Sequence, residues 1–267
     1  MDNKSFSFGK NWYNYLLSNF SESSLSNAIK SIQVFIGKKS LRNKTFLDIG
    51  CGSGLFSLAA YRMGAKKIVS FDYDSQSVNC CRLLKNRENM PNNWEISQGS
   101  ILDKKLIKKL GKFDVVYSWG VLHHTGKMWK AIENASRLVK PKGLMYISIY
   151  NERTAQISSR QWLMVKRLYS NSPMFFKKIL EYIYIIYFFS LYRFKINKIK
   201  NYIRNYSKFS RGMSWRTDVT DWMGGYHYEF AKADKVLSYC QKLGLKEIKH
   251  TDLEEGTGCN EFLFQRV

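Results

Sequence analysis

Proline is scarce in this chain, with three in 267 residues, and no stretch is dominated by one or two residue types. A stiff or low-complexity linker between independent domains is therefore not expected. The length suits one globular domain with an added subdomain. Cysteine is limited to Cys51, Cys80, Cys81, Cys240 and Cys259, an odd number with no C-x-x-C pair. That pattern is neither a zinc framework nor a disulfide scaffold, and it suits a reducing cytoplasm. Acidic residues are few: 21 Asp and Glu stand against 43 Lys and Arg, a net charge of +22. A field of that sign attracts nucleic acid, anionic lipid or phosphorylated substrates, and a coding bias towards Lys, Asn, Ile and Tyr would raise it independently. The opening "MDNKSFSFGKNWYNYLLSNF" lacks an apolar signal core, so no secretion signal is expected. No H-x-x-H is present and no tight carboxylate cluster beyond "DVTD", so no metal site is expected.

What is present is a regular alternation. Residues 11–37 predict one or two amphipathic helices anchored by Trp12, Tyr15, Leu16, Phe20, Ile29, Ile32 and Phe35. From 45 to 150, "TFLDIG", "KIVSFDYD", "WEISQGS", "FDVVYSWG" and "LMYISIY" read as strands with a helix between each pair. Ser75 is the expected N-cap of the second of these helices, and Pro141–Gly143 the turn before the fifth strand. Such alternation predicts a parallel sheet with helices on both faces. After residue 229 come a helix, "FAKADKVLSYCQKLG", and two strands, "LKEIKHTDL" and "CNEFLFQRV". The short "EEGTG" between those strands makes them an antiparallel hairpin. The expected fold class is α/β: a Rossmann-like, seven-stranded, doubly wound sheet with an antiparallel C-terminal hairpin and a helical cap inserted after strand five.

The loop after the first strand, "LDIGCGSGLF", carries Gly50, Gly52 and Gly54 directly before a helix. Glycines there let the backbone turn tightly and approach a ligand, and the helix start offers free N–H groups. Asp72 ends the second strand, where an acid can hold both hydroxyls of a ribose. A dinucleotide site would favour G-x-G-x-x-G, whereas this loop is G-x-G-x-G. Asp48, within the strand end, would repel a pyrophosphate and suits the ammonium of an amino-acid moiety.

With "FLDIGCGSG", "SFDYD", "QGSILD" and "VVYSWGVLHHT" in this order and spacing, the chain resembles the class I S-adenosylmethionine (SAM) methyltransferases. "FGKNW", "WGVLHHTG", "DWMGGYHYE" and "GCNEF" further resemble a bacterial subgroup of small-molecule and sugar methyltransferases that decorate surface polysaccharides. The resemblance implies SAM as cofactor. It implies that Asp48, Gly50, Cys51, Gly52 and Gly54 line its methionine and ribose. Asp72 would bind the ribose hydroxyls, with Tyr73 beside the adenine. Ser100 and Ile101 would meet the adenine amine where many members have Asp, and Trp119 and Gly120 would flank the methionine end. The implied organisation is a helical segment over 1–40, a SAM-binding core over 41–150, a basic substrate cap over 151–229, and a closing helix and hairpin over 230–267.

Ligands of open α/β sheets bind at the carboxyl ends of the strands, so "GVLHHTG", the 151–229 insert and the hairpin tip "GTGCNE" are expected around one pocket. Methyl transfer to a hydroxyl needs a positioned acceptor, exclusion of water and a proton acceptor. His123, His124 and His227 are the candidates for the last role, each with a packing or turn role as its alternative. Asp218, Asp221, Tyr226, Glu229 and Asn260 are expected to form a substrate wall. The insert from Asn151 to Arg216 holds 14 Lys and Arg against 2 Glu, 14 − 2 = +12. Its apolar stretch, 179–194, is interrupted by Glu181, Ser190 and Arg193 and falls short of the roughly 20 residues of a bilayer span. It reads as a cap whose apolar face packs on the domain and whose cations face an anionic, glycan-like substrate. Peripheral contact with the inner face of an anionic membrane is compatible with that. The expected function is O-methylation of a sugar or of a phosphorylated or nucleotide-linked polysaccharide precursor. The alternatives are a nucleic-acid methyltransferase, against which "SWGV" stands where N/D-P-P-Y/F would be, and a membrane-surface protein that keeps the fold.

Overall fold

The structure is a computed structural model, and it describes all residues except 1–8, 19, 155–156, 192, 194, 210–214 and 254–257. Phe8 of "FGKNW", most of the "EEGTG" connection and the side chain of Tyr15 lie outside the described residues. Seven strands form one sheet: β1 (Thr45–Ile49), β2 (Lys67–Asp72), β3 (Trp94–Gln98), β4 (Phe113–Ser118), β5 (Val139–Tyr150), β6 (Leu245–His250) and β7 (Cys259–Arg266). Their order is β3-β2-β1-β4-β5-β7-β6. Strands β1 to β5 pair in parallel, and β7 runs antiparallel to both β5 and β6. This is the sheet that the sequence alternation predicts.

Apolar residues on both faces of the central strands require cover on both sides. One face packs Phe46, Ile68 and Val115 against Leu25 and Ile32 of α2 (Glu22–Ile36), Leu58 of α3 (Leu55–Arg62) and Cys80 of α4 (Ser75–Arg87). The other packs Ile49, Val69 and Phe262 against Ala131 of α6 (Met128–Arg137) and Val236 of α11 (Ala233–Lys242). The remaining helices are α1 (Gly9–Ser18), α5 (Lys104–Leu110) and four in the insert: α7 (Ser159–Asn171), α8 (Met174–Leu191), α9 (Ile196–Phe209) and α10 (Trp215–Gly224). The insert has its own small aromatic core around Trp162, Tyr169, Met223 and Tyr228.

Three local expectations are corrected. Asp74, not Ser75, caps α4, its carboxylate accepting from the Gln76 amide at 2.8 Å, because a cap must stand outside the helix to reach the second helical N–H. Pro141–Gly143 lies inside β5, where Lys142 takes φ 59° and the pairing with β4 shifts register, so the expected turn is a bulge. Helix α8 packs one side only: Leu180, Tyr184 and Tyr187 lie half-buried against the insert's own aromatic core, while Phe175, Phe176, Tyr182, Ile183 and Ile186 stay exposed, so the single apolar face expected to pack on the domain is two.

Gly54 shows how closely the layers approach. Its φ is 82°, and a Cβ there would stand 2.7 Å from the Cys81 Cα of α4. A Gly54→Ala substitution is therefore expected to destabilise the chain by about 1–3 kcal/mol, read as a lower midpoint in urea unfolding.

Candidate active site

At the carboxyl ends of the parallel strands lies a cavity of about 960 Å³. One half is built by the end of β1 and the turns after β1, β2, β3 and β4. Asp48, Gly50, Cys51, Gly52, Asp72, Tyr73, Ser100, Trp119 and Gly120 all line it. Gly54 and Ile101 do not; Gly54 serves the contact with α4, and Ile101 is buried, its carbonyl accepting from Asn134 Nδ2 at 2.8 Å. Gly50 has φ 71°, and a Cβ on it would stand 2.5 Å from both Val121 methyls, so only glycine fits between the loop and the segment after β4.

The acids of this half differ in exposure: Asp48 is buried and Asp72 half-buried. Asp48 Oδ2 accepts from Ser57 Oγ, which lies 2.7 Å from Ser70 Oγ, and Trp94 Nε1 donates to Ser70 at 2.9 Å. Burial pushes the Asp48 carboxyl up to about 7. Asp72 accepts from the Gly52 amide on one oxygen and from the Asp74 amide on the other, each at 2.9 Å, and burial pushes it up to about 6. No Lys or Arg is among the described residues lining the cavity. Each carboxylate oxygen keeps capacity for a further donor. A ligand carrying an ammonium, a sulfonium and ribose hydroxyls supplies what these acids need, so the donor set fits SAM.

The other half is aromatic and acidic. Tyr150, Tyr184, Phe188, Tyr202, Tyr206, Trp215 and Trp222 supply ring faces, and His124, His227, Asp218 and Asp221 the polar groups. Asp218 and Asp221 stand three apart on α10, hence on one helix face. Asp218 Oδ2 accepts from the Tyr206 hydroxyl and Asp221 Oδ1 from Asn11 Nδ2, each at 2.7 Å. Burial raises the Asp221 carboxyl to about 8 against the Asn11 bond, and the Asp218 charge adds to the rise. Behind this wall Lys166 is buried, its ammonium 4.0 Å from the Trp222 ring centroid and donating to the Trp222 carbonyl. None of the insert's cations expected to face the substrate is among the described residues that line the cavity.

The three histidines separate. His123 does not line the cavity; it is fully buried with its ring 4.0 Å from that of Tyr150. His124 lines the cavity, its Nδ1 bonded to the His227 carbonyl, and burial holds its pKa down at about 3. His227 also lines it, with its ring against Gly126. Of the expected substrate wall, Tyr226, Glu229 and Asn260 stand elsewhere. Glu229 accepts from the Met128 amide at 3.0 and 3.1 Å, at the start of α6. Asn260 Oδ1 accepts from the Leu253 amide at 2.8 Å beside the hairpin connection.

Several residues of the site carried no expectation. Glu261 of β7 accepts from Trp119 Nε1 at 2.6 Å and from the Tyr146 hydroxyl at 3.0 Å, tying the closing hairpin to the segment after β4. A lone acid between Asn260 and Phe262 was the available signal. Helix α1 closes the cavity: Gly9 donates to Asp74, Asn11 to Asp221, and Trp12 packs at Gly52. The motif "FGKNW" marked this segment without its partners.

A family model described as a methyltransferase domain matches residues 40–205. The ubiquinone biosynthesis O-methyltransferase of Pelagibacter ubique is 29% identical over 127 residues, 47% of this chain and 50% of that protein. The ribosomal protein L11 methyltransferase of Tolumonas auensis is 32% identical over 108 residues, 40% of this chain and 34% of that protein. The chain thus spans half the length of the former or less of such curated relatives. Among solved structures, the magnesium protoporphyrin IX methyltransferase of Synechocystis PCC 6803 with bound SAH superposes with a TM-score of 0.57 at 13% identity, covering 98% of this chain and 95% of that one. The [4+2]-cyclase SpnF superposes at 0.55 with 11% identity, over 88% and 80%, so the fold by itself does not name the reaction. The family match covers more than half of the chain and, with the sheet order, the glycine loop and the buried acids, shows that the chain belongs to the methyltransferase domain family: it carries a class I SAM-dependent methyltransferase domain, and SAM is its cofactor.

Proposed function

We propose that the chain methylates a hydroxyl of a small, neutral, polyhydroxylated acceptor, such as a sugar unit of a surface-polysaccharide precursor. The observation that carries this reading is the lining of the acceptor half: aromatic faces with Asp218, Asp221 and His227, and no Lys or Arg among the described lining residues. Ring faces cover the apolar C–H face of a sugar, and carboxylates accept from its hydroxyls. A phosphate inside the same space would meet the Asp218 carboxylate and, once it is ionised, that of Asp221. A nucleic-acid acceptor is disfavoured for that reason, and a phosphorylated precursor would have to keep its phosphate outside. The sequence resemblance to polysaccharide-decorating enzymes and the O-directed activity named for the Pelagibacter relative point the same way.

In this reading Gly50, Cys51 and Gly52 carry the methionine and ribose of SAM, Asp48 faces its ammonium, Asp72 accepts from its ribose hydroxyls, and Tyr73 and Ser100 border its adenine. Bound there, SAM supplies a methyl group already activated by a sulfonium leaving group. Trp119, held by Glu261, and Gly120 orient that end toward the aromatic half. Helices α1, α8 and α9 exclude water. Asp221 accepts the proton of the acceptor hydroxyl, oriented by Asn11; its raised pKa matches a proton acceptor working near neutrality. His124, kept neutral, fixes the His227 backbone at the rim.

Labelled-methyl transfer from SAM to a panel of free sugars, sugar phosphates, nucleotide sugars and RNA tests the acceptor class. Transfer to the neutral sugars or sugar moieties supports it, and transfer to RNA alone overturns it. In calorimetry, Asp72→Ala is expected to weaken SAM binding about 10–100-fold, the loss of one or two hydrogen bonds to a charged group. Asp221→Asn is expected to leave SAM binding in place and slow transfer about 10²–10⁴-fold. The wild-type rate should rise with pH through about 8 as Asp221 gives up its proton, and the variant should lose that rise. Stability supplies a separate check. The folded chain holds a proton on Asp221 that the unfolded chain releases near the ordinary value of 3.8, so stability is lost as pH rises from that value towards about 8. Asparagine keeps the bond to Asn11 without that loss, so Asp221→Asn should melt above the wild type at pH about 8 and close to it at pH about 4.

A further inference from the structure

Helix α8 has two apolar faces. Leu180, Tyr184 and Phe188, one turn apart, face inward; Leu180 packs on the insert's core, and Tyr184 and Phe188 wall the acceptor half of the cavity. Phe175, Ile179, Tyr182, Ile183 and Ile186 recur at helical spacing on the opposite side, and all are exposed, Phe175 at 72% and Tyr182 at 64%. Met164 and Leu168 of α7 are exposed as well, at 63% and 58%. A soluble surface does not ordinarily carry so many large apolar side chains on adjoining helices.

Charge identifies what covers this face. Arg160, Arg167, Lys178, Arg193, Lys195, Lys198, Lys200 and Arg204 are exposed on α7 to α9 and in the turn between α8 and α9. Glu181, the only acid between Arg153 and Thr217, is turned away from solvent: it accepts from the Tyr169 hydroxyl at 2.7 Å and from Lys178 at 2.9 Å. The face is therefore apolar and aromatic within a purely cationic surround. A second copy would bring the same positive surround against itself. An RNA would meet the cations but leave the aliphatic stripe in contact with phosphate and water. Among the described residues no helix is long and apolar enough to cross a bilayer, so α8 can lie in the headgroup region but not span it.

We propose that the outward face of α8, with Met164 and Leu168 of α7, docks the protein on an anionic lipid surface. The apolar stripe enters the headgroup–acyl boundary and the Lys and Arg side chains meet the lipid phosphates. Because the other face of α8 walls the acceptor half, docking sets that half of the cavity beside the lipid headgroups.

The test is flotation of the full chain with phosphatidylcholine vesicles and with vesicles that also contain phosphatidylglycerol. Binding to the anionic vesicles is expected, falling with added salt and weak on phosphatidylcholine alone. A chain of this charge could adhere to any anionic surface, so the deciding variant keeps every charge: Phe175→Ser with Ile179→Ser and Ile183→Ser should lower the vesicle-bound fraction at least about tenfold. A second variant on the same face, Tyr182→Ser with Ile186→Ser, should do likewise. Val34→Ser with Ile248→Ser, exposed apolar residues elsewhere, should leave flotation unchanged. Undiminished SAM binding by the variants shows that they are folded. The proposal is overturned if the wild type does not float with anionic vesicles, if both α8 variants float like the wild type, or if the wild type sediments as a dimer that the α8 variants convert to monomer.

Discussion

The cavity depends on one electrostatic separation. The chain carries a net +22, yet buried Asp48 and half-buried Asp72 and Asp221 line the cavity with no Lys or Arg among its described lining residues. Backbone amides, Ser57 and Asn11 satisfy these acids, and none of those donors brings a charge. The carboxyls consequently sit far above their ordinary range, at about 7, 6 and 8. Were a lysine to reach them, the site would be neutralised before a cationic cofactor arrived. Among the described residues most of the insert's cations are exposed, and buried Lys166 is held behind the wall by the Trp222 ring and carbonyl.

Closure follows from contacts between distant segments. Helix α1 ties the cofactor half to the acceptor half through Gly9 and Asp74, Trp12 and Gly52, and Asn11 and Asp221. Glu261 ties the last strand to Trp119. Helix α8 forms an outer wall whose inner side sees the cavity and whose outer side sees solvent. The cofactor end, the acceptor end and the outer surface are thus linked through single helices, and a change in seating of α1 or α8 would reach the reacting atoms directly.

The sheet and the cofactor half were legible in the sequence because they rest on local signals. A strand ending in Asp and Gly, glycines at positive φ, and an acid at the end of the next strand act within a few residues of one another. Asp48, Gly50, Gly52 and Asp72 all line the cavity, whereas Gly54 carries the glycine signal for a packing reason, the approach of Cys81. The acceptor half was only partly legible. Asp218 and Asp221 share a helix face and a cavity, but Glu229 and Asn260, equally polar in equally apolar surroundings, are spent on a backbone amide each. His123 and His124 are neighbours in sequence, yet the turn that follows β4 sends one ring into the core and one to the cavity. For Asp221, Glu229 and His124 the hydrogen-bond partners, Asn11, Met128 and His227, stand 100 or more residues away in sequence, and no local pattern encodes them.

The sequence by itself determined the alternation of strands and helices, the closing hairpin, the family and the concentration of positive charge in the insert, since periodicity, motif spacing and charge counts are properties of neighbouring residues. Only the tertiary structure decided which way that charge points. The apolar run that a linear reading packs onto the domain has two apolar sides, and the packing of α7, α9 and α10 around it leaves one side half-buried at the cavity while the other stays in water. The direction of a side chain on an amphipathic helix is fixed by what the rest of the fold places beside it, and here, among the described residues, the fold lines the cavity with aromatics and carboxylates and leaves most of the insert's lysines and arginines exposed.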